Sequence, residues 1–456
     1  MLLLVALTTI RITGSVNFGK LKGMDKELYG TSFVSSRNYL LTQFRVIVTY
    51  LRLLLVPINQ NLDYDYPIAR SLFRLPVFAS LILLLIILGI GFILFRRYRL
   101  LSFGIFWFFL TLIPESSIIP IRDVIYEHRL YLPMVGYALF LPSGLYYLLS
   151  GKKQYLLVPC LLIITLGYST LTYIRNQVWR SDLTFWTDVV KKSPHKGRDY
   201  NNVGMAYGIR GEYEKALTYL NKAVALDPNL FEVYNNRALI YRAKGEYDQA
   251  IQDYNLALKI NPTYAKAHNN RGNTYNIIGK EDAAMADYNQ AIELAPQSFS
   301  EPYHNRGALY YKKGALREAI ADYTQALRIN PTYLPPYYNL IKIYRKQNRE
   351  DELLSIYLKL LEQKSDSSIY NDLGILYCEK NLWDKALGEF ENALRLEPTN
   401  AKSFNNLGIV YLTKGEKDKA LQSWRKALQL DPRMKEAREN LSKTLNNPNI
   451  KNQNEK

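Results

Sequence analysis

Arg122, Asp123, Glu127, His128 and Arg129 fall within eight residues, directly before an apolar run that begins at Leu130. Charge is costly inside a bilayer, so such a cluster at the edge of an apolar run calls for a role. Three roles suit these residue types. Arg129 and His128, with Arg122 and Glu127 beside them, could bind a phosphate, because a guanidinium meets phosphate oxygens with two parallel hydrogen bonds. Glu127 and Arg129 could instead pair and pin the loop to the membrane surface. The cluster could also be the charged flank that orients the next span.

A second set of polar side chains recurs at fixed spacing. Asn202, Asn236, Asn270, Asn305, Asn339 and Asn406, with Asp372 in the one remaining place, stand 33 to 35 residues apart, and Asn201, Asn235, Asn269, Asn371 and Asn405 precede five of them or their Asp372 counterpart. A carboxamide both donates and accepts, so a row of them can pair with peptide N–H and C=O groups along an extended chain. The competing reading is that these asparagines make contacts inside their own helices.

The elements that carry this row are repeats. Prolines fall at 194, 228, 262, 296, 331, 398 and 432, and glycines at 211, 245, 279, 314 and 415, with Asn348 and Asn381 in the two other turns. An Ala follows five residues after each turn at 216, 250, 284, 319, 386 and 420, with Leu353 the exception, and a second small position recurs at 223, 257, 291, 326, 393 and 427. This is the tetratricopeptide pattern: two antiparallel helices per unit, small residues where they touch, and a glycine to turn the chain. It predicts seven repeats over 197–434, preceded by a linker helix over 175–196. A polar capping helix is expected over 435–447 and a disordered tail over 448–456. Tyr207, Tyr241, Tyr275, Tyr310, Tyr344, Tyr377 and Tyr411 are expected to fill the space between paired helices. The asparagine row lies on the first helix of each repeat, the one that lines the concave groove, so a protein or peptide is the expected partner there.

The cluster at 122–129 belongs to a different half. Residues 1–174 read as a membrane region, with spans expected at about 75–95, 100–118, 130–149 and 155–174. An interfacial helix is expected at about 38–57, because Thr42, Arg45, Thr49 and Arg52 form one polar stripe on an otherwise apolar helix. The start, "MLLLVALTTIRITGS", lacks basic residues before its apolar core and reads as the end of a membrane helix rather than as a cleaved signal. The short basic loops "RRYR" and "GKK" mark the cytoplasmic side, which puts the 114–128 loop and everything after residue 174 outside the cytoplasm.

Of the 456 residues, 48% are hydrophobic, and the net charge is +17. Residues 1–196 hold +12 of that excess, where it sets topology; no Lys/Arg run has the form of a nucleic-acid stripe. Cys160 and Cys378 are far apart in type of surroundings and in sequence, so neither a disulfide nor a metal site is expected. No nucleotide-binding glycine loop and no Ser–His–Asp set is present, and no cofactor is implied. The fold class expected is all-α: a multi-helix transmembrane region followed by a tetratricopeptide α-solenoid.

"LIPESSIIPIRDVIYEHRLYLPMVGY" resembles the late membrane region of the transmembrane and tetratricopeptide repeat O-mannosyltransferases and their bacterial relatives, through Glu127, Arg129, Tyr131, Pro133, Gly136 and Tyr137. "QFRVIVTYLRLLLVPINQNLDYDYP" and "RNQVWRSDLTFWTDVVKKSP" resemble that family's upstream segment and its linker into the repeats. The resemblance implies sugar transfer from a polyprenyl-phosphate donor to protein, and a donor phosphate near His128 and Arg129. The family's acidic first-loop motif has no counterpart here, so the resemblance is to the C-terminal part of such an enzyme, and it assigns no catalytic residue. The asparagine row likewise resembles the ladder in the superhelical repeats of the O-linked N-acetylglucosamine transferase. Two functions follow: a membrane-anchored repeat protein that binds a peptide outside the cytoplasm of a bacterial inner or plasma membrane, or part of a membrane glycosyltransferase.

Overall fold

The structure is a computed structural model and describes residues 34–114, 116 and 124–446. The expected start of the membrane region, Arg122, and the tail from 447 lie outside the described residues. The chain forms two compact units, Met1–Gly245 and Glu246–Lys456. The described secondary structure is helical, with no strand among the described residues.

In the first unit α1 spans Ser36–Leu55, α2 Leu75–Leu94, α3 Arg99–Leu112, α4 Tyr131–Leu148 and α5 Leu157–Val178. The linker helix α6 spans Asp182–Lys192, followed by α7 Gly197–Ile209, α8 Tyr213–Leu226 and α9 Phe231–Lys244. Two described segments, Leu75–Leu94 and Lys153–Val178, are long and apolar enough to cross a membrane. The other two expected spans fall short. α3 has 14 residues, about 21 Å of helix against a hydrocarbon core of about 30 Å. It ends at Leu112, with Ile113 still in helical backbone and Pro114 next in the chain. α4 is a continuous 18-residue helix that runs through Pro142 and is not apolar enough along its length to count with the other two. α3 and α4 cross backbone to backbone: a Cβ on Gly104 would lie 2.6 Å from the Gly136 carbonyl, and one on Gly136 2.5 Å from the Gly104 carbonyl.

The polar stripe of α1, expected to face the membrane surface, instead receives the loop that follows it. Thr42 is fully buried and its Oγ1 accepts from the Ala69 amide at 2.9 Å. The Thr49 hydroxyl meets the Tyr66 hydroxyl at 3.0 Å, and Arg45 lies 5.2 Å above the Tyr66 ring. Arg52 donates to the Ile58 carbonyl at 3.1 Å. Polar residues on an apolar helix give the same pattern whether they meet water or a polar loop, so periodicity could not tell the two apart.

The second unit holds α10 Tyr247–Ile260, α11 Ala265–Ile277, α12 Glu281–Leu294, α13 Glu301–Lys312, α14 Leu316–Ile329, α15 Leu334–Lys346, α16 Glu350–Gln363, α17 Ser367–Glu379, α18 Trp383–Leu396, α19 Ala401–Thr413, α20 Lys417–Leu430 and the end helix α21 Lys435–Leu445. From α11 on they pair as antiparallel hairpins. The turns need left-handed backbone: Gly279, Gly314 and Gly415 take it at φ 77–79°, and Asn348 and Asn381 take it at 55° and 58°. Asn tolerates that region better than other residues with a Cβ.

The deepest aromatic column differs from the expected one. Tyr254, Tyr288, Tyr323, Tyr357, Phe390 and Trp424, all on the second helix of a pair, are at most 2% exposed. The tyrosines expected to fill this space are more peripheral; Tyr344 and Tyr377 are the buried examples. Tyr288, Tyr323, Phe390 and Trp424 lie over Gly272, Gly307, Gly374 and Gly408 of the facing helix, and a Cβ on Gly408 would stand 2.4 Å from Trp424 Nε1. Changing Gly408 to Ala is therefore expected to displace the indole, break its 3.1 Å hydrogen bond to the Asn405 carbonyl, and cost about 1–2 kcal/mol in denaturant unfolding.

Candidate functional site: the asparagine row and the polar junction

The asparagines expected to face a peptide are half-buried and already joined to one another. In the first unit Asn236 Nδ2 donates to Asn201 Oδ1 of the preceding first helix at 2.9 Å, and Asn235 Nδ2 donates to Asn236 Oδ1 at 3.2 Å. Asn201 Nδ2 reaches Asn202 Oδ1 at 3.4 Å. The second unit repeats the bond from Asn305 to Asn269 at 2.9 Å and from Asn406 to Asn371 at 3.0 Å. The end helix joins in, with Asn440 Nδ2 on Asn405 Oδ1 at 3.2 Å. The row thus forms rungs between neighbouring repeats, contacts that fall between helices rather than inside one. A carboxamide has two N–H donors and two acceptor lone pairs. Asn236 and Asn406 each commit one donor and one acceptor to such bonds, so these side chains keep capacity for a peptide backbone.

The rungs lapse in the middle of the second unit. His304 and Tyr338 stand where the other repeats have the first Asn of the pair. Asn339 and Asp372 therefore have no carboxamide to reach back to, and Asp372 accepts from the Tyr357 hydroxyl at 3.3 Å. Asn270 is half-buried on α11. Burial holds the His304 imidazole below its usual range, so it is neutral at pH 7, and its Nδ1 is buried without a partner.

A second layer, unread in the sequence, braces the hairpins. Arg271 grips Asp287 with Nε at 2.8 Å and Nη2 at 2.7 Å, and its Nη1 holds Asn255 Oδ1 at 2.6 Å. Arg306 repeats this with Asp322 at 2.8 and 2.7 Å and Asn289 at 2.7 Å. The signal was present as an Arg after the row Asn and an Asp sixteen residues later. Burial works to raise the Asp287 carboxyl, and the Arg271 and His268 bonds outweigh it and hold it below the usual carboxylate range.

The described part of the cluster, Glu127, His128 and Arg129, is divided among different partners. Glu127 does not pair with Arg129: it accepts from the Asn61 amide and the Tyr64 hydroxyl, both at 2.6 Å. Burial pushes its carboxyl above the usual range despite those bonds. Arg129 is 7% exposed, 5.1 Å above the Tyr126 ring, with Nη1 3.5 Å from the Val124 carbonyl. Its guanidinium is engaged by protein, not held out for a phosphate. His128 is exposed and lies against Tyr126, ring centres 5.0 Å apart.

Glu127 instead opens onto a polar junction between the loop after α1, the linker helix α6 and the start of α7. Asn61 Nδ2 donates to Ser193 Oγ at 2.7 Å, and Ser193 Oγ donates to the Asp63 carbonyl at 2.6 Å. Lys192 Nζ bridges the Gln60 carbonyl and Asp188, each at 2.7 Å, and Arg175 meets Asp188 at 2.5 Å. Asp63 forms ion pairs with Lys196 and Arg198. Burial alone would raise it, and those two cations hold it below the usual carboxylate range. Asp199 is fully buried and neither carboxyl oxygen has a donor. Burial, and then the charge of Asp63 beside it, pushes Asp199 up to about 8. Among the described residues no group of three or more His, Cys, Asp or Glu could hold a metal ion.

Models of the TPR and tetratricopeptide repeat families match residues 204–241, 238–276 and 374–415, and 265–298, 300–333 and 401–434. The helical pairs are tetratricopeptide repeats. The chain is 32% identical over 117 residues to the protein O-mannosyl-transferase Tmtc3 of Drosophila melanogaster, covering 25% of this chain and 13% of that protein. It is 30% identical over 113 residues to TMTC3 of Homo sapiens, covering 24% and 12%. The matches therefore span about one eighth of these relatives' length, within the repeats. Among solved structures it is similar to the C-terminal part of a TPR repeat-containing protein from Cytophaga hutchinsonii, at 22% identity and TM-score 0.44, covering 52% of this chain and 98% of that one. YrrB, a TPR protein with an unusual peptide-binding site, aligns at 19% identity and TM-score 0.26, covering 48% and 96%.

Proposed function

We propose that this chain is a membrane-anchored tetratricopeptide protein whose repeats hold an extended segment of a peptide or protein partner. The observation that carries this reading is the asparagine row: half-buried carboxamides on successive first helices, retaining donors and acceptors after their rungs are made. The test is a random-peptide display selection on the full chain in detergent. Enriched peptides should lose about tenfold in affinity when Asn305 and Asn406 are changed to Ala, as two hydrogen bonds of about 0.7 kcal/mol each would give, measured on the folded fraction. Unchanged affinity in that variant removes the groove reading.

Anchoring rests on α2 and α5. Arg96, Arg97 and Arg99 follow α2, and Lys152 and Lys153 precede α5, so both basic flanks fit one cytoplasmic side, and the repeats after α5 then lie outside it. A reporter active only in the cytoplasm, fused after Lys456, is expected to stay silent; strong signal reverses the orientation.

A second reading, a share in protein O-mannosylation, is favoured by the similarity to the O-mannosyl-transferases. Membranes carrying the chain should then transfer labelled mannose from a polyprenyl-phosphate donor to protein, and membranes with Glu127→Gln should transfer less. Equal transfer with and without the chain removes this reading.

A further inference from the structure

We infer that the open face of α15 is where the groove grips an acidic stretch of its peptide, with acidic residues two apart; this rests on the peptide-binding reading above. The rungs lapse on this helix. Asn339 is half-buried and makes no side-chain hydrogen bond among the described residues, so no protein group occupies its carboxamide. Pro335, Tyr338, Asn339, Lys342, Arg345 and Lys346 occupy one arc of the helix, while Pro336, Tyr337, Leu340, Ile343 and Tyr344 are buried on the other. That open arc carries three cations and no acid.

The charges facing it leave two of those cations available. Arg345 Nη2 donates to the Tyr357 hydroxyl at 2.8 Å, and the same hydroxyl meets Asp372 on α17, so this cation has its counter-charge close by. Glu301 on α13 and Glu379 on α17 are the other acids on the corresponding arcs of the flanking helices. Lys312 on α13 is paired with Glu281 at 2.6 Å. Lys342 and Lys346 are exposed and form no ion pair among the described residues; Lys342 lies 5.2 Å above the Tyr311 ring. One helical turn separates them, about 6 Å of rise. Alternate side chains of an extended peptide are about 6.6–6.8 Å apart on one side, so a Glu-x-Glu stretch matches the two ammonium groups. Asn339 sits beside them to meet the peptide backbone, and Tyr338, 45% exposed, offers a ring to its edge.

The experiment uses the full chain in detergent at low salt, with fluorescein-labelled (Glu-Gly)5 and (Gln-Gly)5 as probes. The glutamate peptide should bind about tenfold tighter than the glutamine peptide, the size expected for two exposed charge contacts. The double change Lys342→Gln and Lys346→Gln should erase that difference, and Lys402→Gln, on the same arc of α19, should leave it. Both lysines are exposed, so the double variant should keep the melting curve of the parent. Equal binding of the two peptides, or a preference that survives the double change, overturns the inference and leaves the groove. Binding of neither peptide overturns the groove reading together with it.

Discussion

Changing Arg271 to Ala is expected to destabilise the chain by about 3–5 kcal/mol, because it leaves the Asp287 carboxylate charged, buried and stripped of its bidentate partner. Asp287 has only 6% of its side chain exposed, so water cannot replace the guanidinium. The Asn255 carboxamide loses its donor in the same step. Unfolding in denaturant, followed by helical circular dichroism, measures the loss. Combining Arg271→Met with Asp287→Leu should recover most of it, since an apolar pair of similar volume carries no stranded charge. A loss below about 1 kcal/mol for Arg271→Ala would show the pair to be incidental. The pH dependence has a definite sign. The Asp287 carboxyl is held low in the folded state, so its contribution is present above the ordinary carboxylate pKa and disappears as pH falls through the folded value.

The opposite sign is expected at Asp199. Its carboxyl titrates at about 8 when folded against 3.8 as its ordinary value, so the folded chain holds a proton that the unfolded chain releases. Stability therefore falls as pH rises from about 4 to about 8 and levels off above that. Asn in its place is neutral at every pH and can donate to Asp63, as the protonated acid does. Asp199→Asn should thus gain little at pH 4 and about 2 kcal/mol by pH 8, a value held well below full linkage because Lys196 and Arg198 are 22% and 32% exposed and water screens the site. That corresponds to a rise of about 4–8 °C in melting midpoint for the unit that carries it. A gain independent of pH, or a loss at pH 8, would contradict the assignment of the buried proton.

The repeats were legible because their grammar is local: Gly or Asn at the turn, Ala five residues on, and Pro at the boundary all recur within a few dozen residues. The asparagine row was legible as a row but not as rungs, because the bond from Asn236 to Asn201 spans 35 residues and depends on how hairpins stack. The junction was not legible at all. Asp63 and Arg198 are 135 residues apart, and nothing in the spacing of Lys196 and Arg198 points back to Asp63. A Glu127–Arg129 pair was one of three roles that their closeness allowed, yet in the 3-10 turn over Glu127–Leu130 their side chains meet different partners. The span expected at 100–118 was over-read because the helix there ends at Leu112, which hydropathy alone does not register.

The rungs have a consequence for how such a chain can grow. A repeat with an Asn pair carries both halves of the joint: a carboxamide that accepts from the next repeat and one that donates to the last. Such a unit is self-complementary, so a duplicated copy spliced in beside its parent meets a ready partner on either side with no compensating substitution. Elongation by tandem copying is thereby cheap, and shuffling is tolerated wherever both asparagines persist. His304 and Tyr338 break that interchangeability, so the repeats around them are the ones that cannot be moved without leaving a joint unmatched.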